Sequence, residues 1–473
     1  MNGLGAGDAR APAPKGGLPD PADGLDRAGG AAAAGRWTGG WAQGWSYGGL
    51  GLPLAFVALP LYVILPNHYA DTFGVPLATL GALLLGARLL DAFADPVIGR
   101  LADRWLEGSI ARVLRVACVA AVILALGFHA LFFPPVRDLQ ALLWWCGIGL
   151  AVTYLAYSVL SVLHQAWGAR LGGDEGQRAR IVAWREALAL VGVLVASVLP
   201  SLAGLATAAG AFAVLLALGL VGLWRAPRPL PAATAPPVSS MPPMPAASRT
   251  GMAPDGTASP AGALSGPWRV EAFRRLLLIF LVNGIATAVP ATLVLFFIRD
   301  RLQAQAWEPV FLASYFAAGA LSMPLWVRLV GRWGLARAWR AGMMLAVVTF
   351  AWAATLGSGD VAAYALVCVA SGLALGADLA LPGALLAGVI QRAGHAARLE
   401  GAYFGWWNFA TKLNLALAAG IALPLLGLFG YAPGAQDEAA LQSLTVVYCL
   451  LPCALKLLAA GLLHTLWIRG ETR

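Results

Sequence analysis

The chain has 473 residues, 59% of them hydrophobic and 12% charged, with a mean hydropathy of +0.73. Soluble domains carry about 25% charged residues, so lipid is the expected surroundings for most of this sequence. The formal charge of +9 does not point to nucleic acid, because the arginines fall in short connections between apolar runs rather than in one patch.

Residues 1–40 are rich in Ala, Gly and Pro, carry Arg10, Lys15, Arg27 and Arg36, and lack an apolar signal core. They read as a disordered cytoplasmic tail. A membrane-crossing helix takes about 20 apolar residues. Such runs lie near 44–66, 75–98, 113–133, 139–166, 181–203 and 205–224, which predicts a first six-helix bundle over 41–225. A stretch rich in Pro, Ala, Ser and Met follows, and 226–268 reads as a flexible cytoplasmic linker. Further runs near 273–297, 307–328, 337–357, 361–391, 401–429 and 441–467 predict a second bundle over 269–473. The expected class is therefore all-α integral membrane protein with twelve spans.

The pattern of six, linker and six implies an internal duplication. The connection after the second span reads Gly99-Arg100-Leu-Ala-Asp103-Arg104, and that after the eighth reads Arg328-Leu-Val-Gly331-Arg332-Trp-Gly334. Glycine and arginines recur at the same place in each half. Arginines such as Arg104, Arg112, Arg170, Arg178, Arg332 and Arg392 fall on one side, so both termini and the linker are expected in the cytoplasm. The five cysteines lie in apolar runs without metal-ligand spacing and read as small buried residues.

Charges inside the apolar runs carry the chemistry. An ionised group at membrane depth costs about 2.5–3.5 kcal/mol on insertion scales. Arg88, Asp91 and Asp95 are spaced i, i+3 and i+7, on one helix face. Two carboxylates one turn apart repel unless a cation or proton sits between them. Arg88 would hold one ionised and leave the other to accept H+ or Na+; the competing reading is a buried ion-pair network that fixes packing. The chain has three lysines, Lys15, Lys412 and Lys456. Lys412 stands in mid-span with Asn408 one turn before it, and is expected to balance the second-span acids. Lys456 reads as a snorkelling or packing residue.

Polar groups elsewhere in the spans are candidate solute contacts. Tyr47, Tyr154 and Trp407 could stack against a sugar ring or simply pack. Ser158 lies one turn from Tyr154, and Asn283 one turn from Thr287. Asp378 in the tenth span reads equally as a solute contact or a structural partner. Arg185 beside Glu186 could face the interior or form an interfacial pair. No P-loop, dinucleotide glycine fingerprint, His-Glu-x-x-His or nucleophile elbow is present. No enzyme activity, resident cofactor or bound metal is expected.

Arg88-x-x-Asp91-Ala-Phe-Ala-Asp95-Pro96-Val-Ile-Gly99-x-x-x-Asp103-Arg104 resembles the second helix and following loop of the glycoside–pentoside–hexuronide:cation symporters. These form the melibiose-permease-like branch of the major facilitator superfamily. Arg398-Leu-Glu400-Gly-Ala-Tyr403-Phe-Gly-Trp-Trp-Asn-Phe-Ala-Thr-Lys412 resembles their eleventh helix and its approach, and Tyr47-Gly48-x-x-Gly51 the start of their first. The resemblance covers about 44–467 without the linker. It implies the major-facilitator fold, two pseudo-symmetric six-helix bundles, alternating access in the inner membrane, and cation-coupled movement of a sugar or glycoside-like solute. By position Asp91 and Asp95 resemble the cation-site acids, Lys412 the lysine that approaches them, and Arg185 the fifth-helix arginine near the sugar.

The sequence departs from that pattern in places. Ala94 replaces an asparagine of the sodium-using members, Leu155 a hydroxyl residue, and Ala55 and Ser158 two sugar-binding carboxylates. Fewer oxygen ligands disfavour Na+, so H+ coupling is expected, by a chain acting as a monomer. The other readings are a lysolipid transporter of the same fold and a membrane sensor or scaffold that moves nothing.

Overall fold

The computed structural model describes residues 37–229, 265–432 and 434–469. Residues 1–36 of the expected tail and 230–264 of the expected linker lie outside the described residues.

The described chain is helical. Helix α1 spans Trp41–Phe73, with its register widened to a π turn over Pro60–Ile64. It ends on Gly74 at φ 65°, the left-handed stop that glycine takes without steric cost. Helix α2 is Leu77–Gly108 and runs straight through Pro96. The Ser109 hydroxyl accepts the Arg112 amide at 3.2 Å and starts α3, Ile110–Phe132. Asp138 caps α4, Leu139–Arg170, by accepting the Ala141 amide at 3.0 Å. Asp174 caps the next helix through the Gln177 amide at 2.8 Å.

That next segment, Glu175–Arg225, is two helices. Gly204 breaks it with φ 83° and ψ 163°, a conformation closed to other residues. Helix α5 is therefore 175–203 and α6 is 205–225. The second six follow: α7 Glu271–Arg301, α8 Glu308–Trp333, α9 Leu335–Ala353, α10 Val361–Arg392, α11 Glu400–Leu428 and α12 Glu438–Ile468. Nine helical segments among the described residues are long and apolar enough to cross a membrane by length and composition. Dividing one at Gly204 and adding α2 and α9 brings the observed helices into register with the expected spans.

Buried side chains gather in separate cores. Phe56, Phe128, Trp167 and Phe212 centre one among the first six helices. Phe273, Trp339 and Tyr403 centre another among the second six, and Phe297, Tyr364 and Tyr448 a third toward the far end of those helices. In lipid, helix association rests on packing and hydrogen bonds, so small residues mark the closest crossings. Cys146, Cys368, Cys449 and Cys453 are buried as expected, whereas Cys118 is exposed on the outer face of α3.

The two sets of helices meet where α2 packs on α11 and α5 packs on α8 and α10. Glycines set the first contact. A Cβ on Gly99 would lie 2.1 Å from the Gly401 carbonyl oxygen, and one on Gly405 would lie 2.5 Å from that of Asp95. All of this is at the arginine-rich end. At the other end of α2 and α11, a Cβ on Gly81, Gly86, Gly420 or Gly427 would meet nothing within 4 Å. The glycine-mediated backbone contacts of α2 and α11 lie at the arginine-rich end.

Candidate functional site

The glycine crossing brings α11 alongside the acid-bearing face of α2. Lys412 from α11 reaches both carboxylates, with its ammonium 2.7 Å from Asp91 Oδ2 and 2.7 Å from Asp95 Oδ2. The same ammonium donates to Ser158 Oγ of α4 at 2.9 Å, and Ser158 donates to Asp91 Oδ1 at 2.6 Å. Asp91 thus has a partner on each oxygen. Asp95 does not. It is fully buried, and neither of its oxygens accepts a well-directed hydrogen bond among the described residues, so the ammonium is its close charged contact. A buried carboxylate left this short of donors favours its neutral form or an added cation.

Arg88 departs from the sequence expectation. Its guanidinium lies over the Tyr62 ring, 3.9 Å from the centroid, and forms no ion pair with Asp91 or Asp95 among the described residues. A flat cation beside an aromatic ring is held by the ring's quadrupole, and Lys412 already stands between the acids. Tyr62 packs on Tyr154, centroids 5.9 Å apart, and the buried Tyr154 hydroxyl makes no well-directed hydrogen bond among the described residues. Ser158, expected to touch solute, belongs instead to the lysine–acid cluster.

Four other candidates are placed by packing or by a neighbouring side chain. Tyr47 is buried in the first core, its hydroxyl donating to the His164 carbonyl at 3.1 Å. Trp407 is buried and stacks on Phe280 with centroids 3.8 Å apart. Asn408 is half-buried one turn before Lys412. Arg185 is paired with its neighbour, Nε to Glu186 Oε1 at 2.9 Å; long side chains bend back across the 100° that separates adjacent helix positions.

A second charged cluster lies among the second six helices. Lys456 of α12 donates to Asp378 Oδ2 at 2.6 Å, Asn283 Oδ1 at 2.9 Å and Thr287 Oγ1 at 3.0 Å. Asp378 Oδ1 accepts from Asn283 Nδ2 at 3.1 Å and Trp339 Nε1 at 3.0 Å. Lys456 does not snorkel: it is buried, and Asp378 satisfies it. This cluster forms one end of a cavity of about 480 Å3, whose walls include Phe280, Tyr315, Phe316 and Phe350. Of the sequence candidates, Asn283 and Asp378 line it. Lys456 is a site residue the sequence reading missed; its signal was a lysine in an apolar run of a chain that otherwise uses arginine.

Below both clusters, the arginine-rich end is bolted by charge. Asp103 accepts the Gly401 and Ala402 amides at 2.7 and 2.8 Å, capping α11 from the other set of helices. Arg170 joins Asp103 at 3.4 Å to Glu400 at 3.0 Å, all three buried. Glu400 also accepts the Ala397 amide, and Ala397 sits at φ 62°, a left-handed conformation that this tether helps to hold. Glu175 repeats the device at the other crossing, accepting the Leu335 amide at the start of α9 at 2.9 Å.

Solved structures share this architecture. A fucose transporter, FucP, in its outward conformation aligns with TM-score 0.62 and 13% identity, over 88% of this chain and 98% of its own. A bacterial homologue of the iron transporter ferroportin in the outward-facing state aligns with TM-score 0.59 and 17% identity, over 91% and 99%. At these identities the likeness is one of fold, that of the major facilitator superfamily. Two sequence relatives come from Escherichia coli (strain K12). The inner membrane symporter YicJ is 30% identical over 142 residues, which is 28% of each chain. A protein named "Putative sulfoquinovose importer" is 25% identical over 458 residues, 89% of each. The chain thus spans little more than a quarter of the first relative and most of the second. The profile of MFS/sugar transport proteins matches residues 45–230 and 258–469. This multi-pass membrane chain, a transporter-type protein and not an enzyme, belongs to the MFS/sugar transport protein family.

Proposed function

We propose that this protein is a secondary active symporter that moves a sugar or glycoside-like solute together with H+ by alternating access. The observation that carries the reading is the Lys412 ammonium standing between Asp91 and Asp95, donated by the opposite set of helices. Two acids and one lysine leave the cluster one positive charge short. Asp95, with an oxygen that accepts nothing, takes the proton. Sodium is disfavoured, because the ammonium occupies the space between the carboxylates and the neutral Ser158 hydroxyl beside them is already bonded to Lys412 and Asp91.

The lysine also explains how an empty carrier returns. Unpaired carboxylates are costly at membrane depth, and Lys412 stands in for the absent cation while the helices reorient. When a proton arrives at Asp95, the lysine keeps a single carboxylate partner and its hold weakens. The Lys412 side chain is 21% exposed while Asp95 is sealed, so the proton reaches the acid past the ammonium. Arg88 on Tyr62 contributes field without contact. Solute is held by the cavity that Asn283 and Asp378 line.

The protein acts as a monomer in the inner membrane, both termini in the cytoplasm, with the closed arginine-rich end facing inward. The test is uptake into proteoliposomes of purified protein. A pH gradient at equal Na+ should drive solute accumulation, and a Na+ gradient at equal pH should not. Accumulation driven by Na+ alone would overturn proton coupling; no solute movement under either gradient would overturn transport itself.

A further inference from the structure

The cavity among the second six helices is large enough for a ligand, since small-molecule sites span about 300–1,000 Å3 and are mostly apolar with a few placed polar groups. Its charge is what discriminates between ligands. Asp378 and Lys456 are the charged residues among those that line it, and they cancel. All three Lys456 protons are committed, to Asp378, Asn283 and Thr287. Both Asp378 oxygens are likewise taken, by Asn283, Trp339, Thr287 and Lys456. Arg185 of α5 is not among the lining residues and is paired with Glu186. An anionic solute would therefore enter without a free cation to meet it, and a buried unpaired charge is costly.

One sealed polar atom of the lining has no hydrogen-bond partner among the described residues. Asn414 of α11 lines the cavity, is 4% exposed, and its Oδ1 accepts nothing. Its amide nitrogen packs against Gly284, where an added Cβ would come within 1.8 Å. A buried carbonyl-type acceptor without a donor is a cost that a ligand hydroxyl removes. The remaining walls are mostly aromatic and aliphatic, with Cys368, Ser371 and Thr411 among them.

We propose that this cavity is a specificity site for an uncharged solute with an apolar portion, such as a neutral aryl or alkyl glycoside, and that Asp378 excludes anionic sugars by keeping Lys456 occupied. The inference rests on the solute-transport reading and deepens it. Asn414 supplies the acceptor for a sugar hydroxyl, and the aromatic wall takes the aglycone. Converting Asp378 to a neutral amide releases Lys456 and turns an anion-excluding site into an anion-accepting one.

The experiment measures binding to purified protein by thermal shift and calorimetry. The probes are the phenyl α- and β-glycosides of glucose and galactose, each against the matched phenyl uronide. Wild type should bind at least one neutral glycoside, and bind its uronide about tenfold or more weakly, since the carboxylate must be buried unpaired. Asn414→Leu should weaken the neutral glycoside by about fivefold. Asp378→Asn should invert the preference toward the uronide, and Asp378→Asn with Lys456→Met should abolish uronide binding again. The wild-type comparison needs no variant and stands even if Asp378→Asn misfolds. Uronide binding by wild type as tight as that of the neutral glycoside overturns the inference while leaving transport intact. Absence of binding by every sugar, together with absence of uptake, overturns the transport reading and the inference with it.

Discussion

Gly99 and Gly401 meet backbone to backbone across the two sets of helices: a Cβ on either would lie 2.1 Å from the other's carbonyl oxygen. That approach fixes the spacing of α2 and α11, and through it the reach of Lys412 to Asp91 and Asp95 three turns further on. A side chain at Gly401 must push backbone away, because carbonyl groups, unlike the ends of flexible side chains, cannot swing aside. Gly401→Val is therefore expected to destabilise this closed arrangement by about 1–3 kcal/mol, the usual cost of overpacking. Ala102, fully buried at the same crossing, reports it. In a protein lacking Cys118, Ala102→Cys should resist maleimide in the parent and react in the valine variant.

Asp91→Asn and Asp95→Asn test the coupling pair separately. Both are expected to abolish accumulation driven by a pH gradient. Asp95→Asn is a neutral stand-in for the protonated acid, so it should keep solute exchange at equal pH. Counterflow against gradient-driven uptake in the same vesicles distinguishes the two. Normal accumulation by both variants would contradict the assignment.

Lys412→Met leaves two buried carboxylates facing each other without a cation. Breaking such a pair costs about 3–5 kcal/mol, read as a loss of thermal stability in detergent. Adding Asp95→Asn removes one of the repelling charges and should restore part of that loss. A positive interaction energy of about 0.5–3 kcal/mol in the double-mutant cycle is the expected outcome. Additive effects would mean that the 2.7 Å contact carries no energy.

Arg170→Gln removes the buried base that ties Asp103 to Glu400. Two acids are then left side by side, and destabilisation of about 3 kcal/mol is expected. Glu400→Gln should cost less, because Arg170 keeps Asp103. Unfolding midpoints of the two variants order them. In transport, both should raise the rate at which the arginine-rich end opens, seen as faster cysteine labelling at Ala102→Cys.

The helices were largely legible because the bilayer imposes a length and a hydrophobicity that a sequence cannot disguise. The break between α5 and α6 was placed within a residue of Gly204, since a glycine between apolar runs is where a continuous helix can turn. The acids of α2 and Lys412 stood out for a similar reason: charge in a run of Leu and Ala has no local explanation. What the sequence concealed was pairing. Lys412 and Asp95 are separated by most of the chain, and only the glycine crossing decides that Lys412 rather than Arg88 sits between the carboxylates. Lys456 and Asp378 looked like two unrelated oddities until α10 and α12 were side by side. Arg170 and Glu400 were absorbed into connection charge and a helix start, although each is buried. Tyr47 and Trp407 show the converse: an aromatic residue in a span carries no mark of whether it faces a neighbour or a cavity.

The ammonium of Lys412 and the carboxylates it touches are carried by different sets of helices. If those helices rock apart, a compact cluster of one base and two acids becomes a separated dipole, positive on one side and negative on the other. A full elementary charge crossing the whole membrane field is worth about 2.3 kcal/mol per 100 mV, and a part-way displacement a fraction of that. The membrane voltage would then exert torque on the unloaded protein, and stepping it should evoke a brief capacitive current even when no solute is present.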